Sequence, residues 1–183
     1  MDIISIYPPY IFSIQYDDEE ENEFDRLFQQ WNNMVYVTQF FYTNQSYLNS
    51  SIWQNILEPE DAANQVRQEA ADLEDLFDEL YYNTVNGEKE DFDSHFHFLE
   101  GDYKYEYFQP PMKSYGTERP SFLRLYAIKM KNNTYLITGG GIKIADTIQN
   151  SPDLKEHVLQ NIERVRDFLK MNGIEDSDDM EQK

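Results

Sequence analysis

Two histidines, two cations and a run of three glycines are the residues whose types and spacing could support chemistry in this chain. His95 and His97 stand two apart, so on a strand they share one face. Histidine is the side chain whose ordinary pKa lets it carry protons near neutrality. As metal ligands the pair would need a third donor, which the sequence does not place beside them, and the plainer reading is two ordinary surface or half-buried residues. Arg124 in FLRLYAIKMK and Lys143 in GGGIKI are the other candidates. Each either contacts a phosphate or pairs with a carboxylate of an acidic helix, since structural ion pairs position charge as active sites do. Gly139, Gly140 and Gly141 lack the GK[ST] ending of a phosphate loop and follow a strand, so they mark a kink or a close backbone approach. The chain has no cysteine, which rules out disulfides, a thiolate nucleophile and thiolate metal sites.

The charge around these residues is uneven. The formal net charge is -20, yet residues 1–100 hold 22 Asp/Glu against 3 Lys/Arg, whereas residues 103–170 hold 7 against 11. Phosphate binding rests on Lys and Arg, so a contact with nucleic acid belongs to the later half. The asymmetry fits a basic face on an acidic body, an acidic half that meets a basic partner, or an acidic excess that keeps the protein soluble.

The elements that must position these residues follow from periodicity. Ile11 to Tyr16 alternates as a first strand, and the acidic run Asp17 to Glu21 leads into Phe24, Leu27, Phe28 and Trp31 at helical spacing. Met34 to Tyr47 has strand-like composition but fits the end of a helical hairpin equally. Ala62, Val66, Ala70, Leu73, Phe77 and Leu80 form one stripe, which predicts a helix over 60–81. A loop over 83–93, a strand over 92–100, further alternation over 103–108 and a basic loop over 113–120 are expected next. Phe122 to Lys131 and Thr134 to Thr138 are strands joined at Asn132-Asn133, a pair that tolerates positive φ. On that alternation Arg124 shares a face with Phe122, Tyr126, Ile128 and Met130. The glycines then break the sheet, and Ser151-Pro152-Asp153 opens a last helix carrying Leu154, Val158, Ile162, Val165 and Leu169, ending near Gly173.

Strand, helical hairpin, antiparallel strands and closing helix is a layout that resembles the RelE/ParE/HigB superfamily of toxins from type II toxin–antitoxin systems. Leu123-Arg124-Leu125-Tyr126 looks like that family's arginine-bearing central strand, Tyr135 to Thr138 like its partner, and GGGIKIADTIQNSP like the HigB pattern in which a lysine follows a turn and precedes Thr and Pro. The likeness is carried by residues 120–170, and over 10–100 by element order alone. It implies an α+β, RelE-like fold, a cytoplasmic protein held by an antitoxin from a neighbouring gene, and a ribosome-dependent mRNA endonuclease that uses no cofactor or metal. By the resemblance, Arg124 contacts the scissile phosphate, Lys143 contacts RNA, and His97 or His95 shuttles the proton. Lys113, Arg119, Tyr126, Lys129 and Lys131 are then the candidate RNA-binding residues. The chain departs from the family in its length, its acidity, its single lysine flanked by Ile142 and Ile144, and its lack of the late Arg/Tyr positions.

The competing expectation is a non-catalytic binding module on the same fold, whose acidic half engages a basic protein. In either case 183 residues with 40% hydrophobic and 15% aromatic content suit one domain, expected over 1–174 with a disordered acidic tail over 175–183. No apolar run approaches the roughly 20 residues that span a bilayer, and no basic segment precedes the first apolar residues, so neither membrane nor export is expected.

Overall fold

In the computed structural model, which describes residues 1–53, 58–99, 111–117 and 120–181, a six-stranded sheet lies between two helical layers. The chain enters it through β1 (Asp2–Tyr7) and β2 (Ile11–Gln15) and then builds α1 (Glu23–Asn32), α2 (Met34–Thr43), α3 (Gln45–Leu48) and α4 (Pro59–Asn86). A turn of helix, α5 (Phe92–His95), precedes β3 (His97–Phe98), β4 (Pro111–Tyr115), β5 (Leu123–Lys129) and β6 (Tyr135–Ile142). Finally, α6 (Val158–Asn172) and α7 (Ser177–Glu181) close the chain, giving seven α-helices among the described residues. None of the described helices is long and apolar enough to cross a membrane.

The protein is α+β, but its sheet is mixed. The strand order is β1-β2-β6-β5-β4-β3, and β2 runs parallel to β6 through Ile11↔Tyr135 and Ser13↔Ile137, while the other pairs are antiparallel. Parallel neighbours need a long crossover, and everything from α1 to β5 serves as one here. The β5–β6 hairpin forms as its residues predict, with Asn132 and Asn133 at φ 59 and 55.

Each face of the sheet has its own core. On one side α1, α2 and α4 bury Leu27, Trp31, Phe41, Ala70, Leu73 and Phe77 against Leu123, Leu125, Ala127 and Ile137. On the other, α6 lays Val165 and Leu169 on Phe12, Ile128 and Leu136, and Val158 and Ile162 on Tyr126, where Leu154 from the turn before α6 joins them. Phe122 belongs to the first core, where it stacks on Trp53 at 3.9 Å, so it does not share the face of Arg124 as strand alternation predicts.

Several segments differ from expectation for local reasons. Met34 to Thr43 is helical: Asn33 accepts from Tyr36 N, and Val37 and Phe41, four apart, are the buried positions. The expected loop over 83–93 begins later, because α4 runs to Asn86. Phe92 to His95 is a helical turn, not a strand, held by a reciprocal cap between Asp91 and Ser94. Residues 111–115 form a strand that takes in the start of the basic loop expected over 113–120, with Pro111 at its first position, where a missing donor is tolerated. The alternation over 103–108 lies outside the described residues. A β-strand, β1, precedes the first one expected.

The glycines do not break the sheet; β6 runs through them. Ser151 does not cap the last helix, because its Oγ accepts from Ala145 N at 3.1 Å, and α6 starts at Val158 instead. It ends at Gly173, whose φ is 65. Within the acidic terminal stretch α7 forms and Met180, only 2% exposed, joins Ile174 and Leu169 in the second core.

Close approach explains the middle glycine. A methyl on Gly140 would sit 2.4 Å from the Arg124 carbonyl oxygen and 2.9 Å from Leu27 Cδ1, and a backbone atom cannot move aside. Gly140→Ala is expected to destabilise the protein by about 1–3 kcal/mol or more, as overpacked cores do. Urea unfolding should show a lower midpoint; an unchanged midpoint would mean that β6 and β5 can separate without cost.

Candidate functional site

The position of Arg124 is set from the far side of the sheet. Glu69 of α4 is fully buried and accepts hydrogen bonds from Ser121 Oγ (2.8 Å), Phe122 N (3.0 Å) and Leu123 N (3.2 Å), which fixes the entry of β5. One residue on, Arg124 points to the opposite face. Its guanidinium donates to the carbonyls of Ser121 (3.0 Å) and Leu123 (2.6 Å) and lies 4.3 Å over the ring of Tyr115.

Tyr115 is the centre of a cationic cluster. Lys113 Nζ is 5.6 Å from its ring centroid, and the ring of His97 is 5.8 Å away. His97 pairs with Lys113, and Tyr115 with Arg124, in adjacent registers, which brings all four side chains to the same sheet face. Lys143 joins them just past β6, with its Nζ donating to the Asp146 carbonyl at 2.6 Å. Burial, the neighbouring Arg124 charge and Lys113 together push the Lys143 ammonium below the ordinary lysine range. An anion there would relieve both burial and repulsion.

The remaining candidates lie elsewhere. His95 is on the other face of the sheet from His97, because the α5 turn separates them; its Nε2 is 2.5 Å from Ser114 Oγ and its ring packs on Phe77 at 5.8 Å. Tyr126 is 1% exposed beneath α6 and is a core residue. Lys129 pairs with Asp93, a carboxyl that burial pushes up but that Lys129 and Tyr135 hold below its ordinary value. Lys131 pairs with Glu175. It lies beyond the end of β5, in the turn to β6, at the opposite end of the strand from Arg124. Arg119 lies outside the described residues. The structure therefore brings together Arg124, Lys143, His97 and Lys113 out of the nine candidates.

The chain matches no protein-family model, no curated protein and no solved structure.

A second polar crevice, of about 280 Å³, opens between α1 and α6. It forms because β2 leaves β6 after Ile137, so the edge of β6 from Thr138 onward has lost its strand partner. Side chains replace the strand: Tyr16 donates to Thr138 O at 2.8 Å, Asp153 accepts from Ile142 N at 2.6 Å, and His157 Nε2 lies 3.5 Å from Gly140 O. Around them Arg26 grips Glu23 at 2.7 and 2.8 Å, and Arg164 covers the Tyr16 ring at 5.0 Å. Burial pushes the Asp153 carboxyl up, and burial beside Asp153 raises the Tyr36 hydroxyl to about 12. These groups satisfy one another and the bare strand edge, which is a structural role. Their sequence signal was the glycine run, whose unpaired backbone needs polar company. Among the described residues no group of three His or carboxylates is arranged to hold a metal.

Proposed function

We propose that this chain is a RelE-like toxin that binds and cleaves RNA at the Arg124–Lys143 face. The observation that carries the reading is the convergence of Lys113, Arg124 and His97 around Tyr115, with Lys143 beside Arg124 and Lys113, the three cations all coming from the part of the chain that is not acidic. Attack of an RNA 2′-hydroxyl on the adjacent phosphorus builds negative charge on the phosphoryl oxygens. Preorganised cations lower that barrier, and Arg124 and Lys143 are assigned to it. His97, exposed at the rim, takes the 2′-hydroxyl proton and gives it to the 5′-oxygen, which leaves as the P–O5′ bond breaks and a 2′,3′-cyclic phosphate forms. The element order, with one crossover into the β5–β6 hairpin and a closing α6, supports the family likeness. A neighbouring antitoxin and ribosome-bound mRNA belong to the same proposal.

Induced expression tests it. The wild type should slow bacterial growth, and Arg124→Ala with Lys143→Ala should restore it. Equal growth of the two strains would reject the reading.

A binding module is the second reading, favoured by exposed carboxylates along α4, Glu60, Asp61, Glu74, Asp75, Asp78 and Glu79. A basic partner held this way would be captured at low salt and released as screening rises. Capture that persists into high salt, or no capture at low salt, counts against it.

A further inference from the structure

Beside Lys143 the structure contains a cavity that neither core fills. Its volume is about 420 Å³, and its lining includes Tyr47, Ser50, Ile52, Ile144, Asp146 and Asn150. Asp146, whose carbonyl holds Lys143 Nζ, lines the cavity, so the cavity adjoins the cationic cluster. Its chemistry is mixed in a particular way. Tyr47, half-buried, offers an aromatic face, and Ile52 and Ile144 offer apolar walls. Gln149 and Asn150 bring primary amides, each both donor and acceptor. Lys155, about half exposed at 48%, is a cation at the rim. Ser50 Oγ is shielded from solvent and has no hydrogen-bond partner among the described residues. A buried hydroxyl without a partner costs free energy that a ligand with a polar edge can recover.

We propose that this cavity takes a nucleobase of single-stranded RNA, that of the nucleotide next to the phosphate held by Arg124 and Lys143. The inference rests on the RNA reading above and adds base selectivity to it. An aromatic face with apolar walls stacks any base, and amides on the wall read its edge, which is how proteins recognise unpaired RNA. Carboxylates do not dominate the lining, since Asp146 is its one acidic residue and Lys143 and Lys155 flank it, so a phosphodiester can approach. The acidic crevices around residues 17–25 offer no such approach.

The experiment is fluorescence anisotropy of labelled oligo(A), oligo(U) and oligo(C) at fixed salt. It uses the full chain, Tyr47→Leu, Asn150→Ala, and Arg124→Ala with Lys143→Ala. Tyr47→Leu keeps apolar bulk against the core but cannot stack, and Asn150 is exposed, so both variants should fold, which circular dichroism checks. The wild type should prefer one oligomer by about 10-fold or more, within the range of specific base contacts. Asn150→Ala should level that preference while leaving the weakest oligomer's affinity unchanged, whereas Tyr47→Leu, which removes stacking common to all bases, should weaken all three oligomers. Should the preference survive in Asn150→Ala and Tyr47→Leu bind as wild type while the Arg124/Lys143 variant loses all three oligomers, the cavity proposal falls and the phosphate site stands. Uniform weakening of all three oligomers by Asn150→Ala would mark a structural role and overturn it as well. No binding by the wild type removes both.

Discussion

Arg124→Ala combined with Lys143→Ala is expected to weaken single-stranded RNA binding by about 100-fold or more. Hydrogen bonds to charged groups contribute about 1.5–3 kcal/mol each, and two lost together make about 3–6 kcal/mol. The two residues differ in kind: Arg124 is held by two carbonyls and a ring, whereas Lys143 has its Asp146 carbonyl and a charge made costly by burial and by Arg124. Loss of Arg124 alone therefore relieves Lys143, and the single variant should lose less than half of the double variant's effect. Removing two phosphate contacts should also flatten the dependence of binding on salt. Each contact contributes a slope of about 0.7 for single strands, so the slope should drop by about 1.4. A double variant that binds as tightly as wild type, with the same slope, would place the RNA elsewhere.

How much of this was legible in the sequence depends on the range of the interaction involved. The β5–β6 hairpin was plain because its signal is local: alternating apolar residues flank two asparagines that accept positive φ. The α4 stripe was plain for the same reason. Met34 to Thr43 was not, since its composition suits a strand and only packing of Val37 and Phe41 under α4 decides for helix. Glycine at 139–141 reads as a breaker by propensity, but Gly140 admits Leu27 and the β5 backbone, a tertiary demand that no local pattern reveals. His95 and His97 look like one site because two-residue spacing means one face on a strand. The Asp91–Ser94 cap turns that segment into a helix first, and the pair is divided by the sheet. Arg124, Lys143 and Lys113 were found as individual cations; what the sequence could not show is that Arg124 and Lys113 meet over Tyr115 with Lys143 beside them. The parallel β2–β6 contact, which opens the crevice at the glycine edge, was equally out of reach because the partners are more than 120 residues apart.

The largest effect on stability is expected at Glu69. Its carboxylate, fully buried, accepts from Ser121 Oγ, Phe122 N, Leu123 N and Gln65 Nε2. Glu69→Ala leaves those donors in a dry interior, each at a cost of about 1–3 kcal/mol, and opens a void besides. Partial relaxation brings the expected total to about 3–5 kcal/mol, the range seen when one member of a buried charged network is removed. Because Phe122 and Leu123 are the residues before Arg124, the variant should also loosen the cationic face. The pH dependence gives the finer test. Burial raises the Glu69 carboxyl above its ordinary value even though four donors oppose it. A carboxyl whose pKa is higher folded than unfolded binds its proton more tightly in the native state, so its contribution is complete below the ordinary value of roughly 4.3 and declines as pH rises through the folded value. The stability gap between wild type and Glu69→Ala should therefore narrow from about pH 5 upward, by the same linkage. Comparing the two proteins cancels the general self-repulsion of a chain at -20, which loses charge on acidification in both. A gap that widens with pH would mean that the four donors outweigh burial and that Glu69 is a preferred anion, locking β5 to α4 by charge instead of by a shared proton.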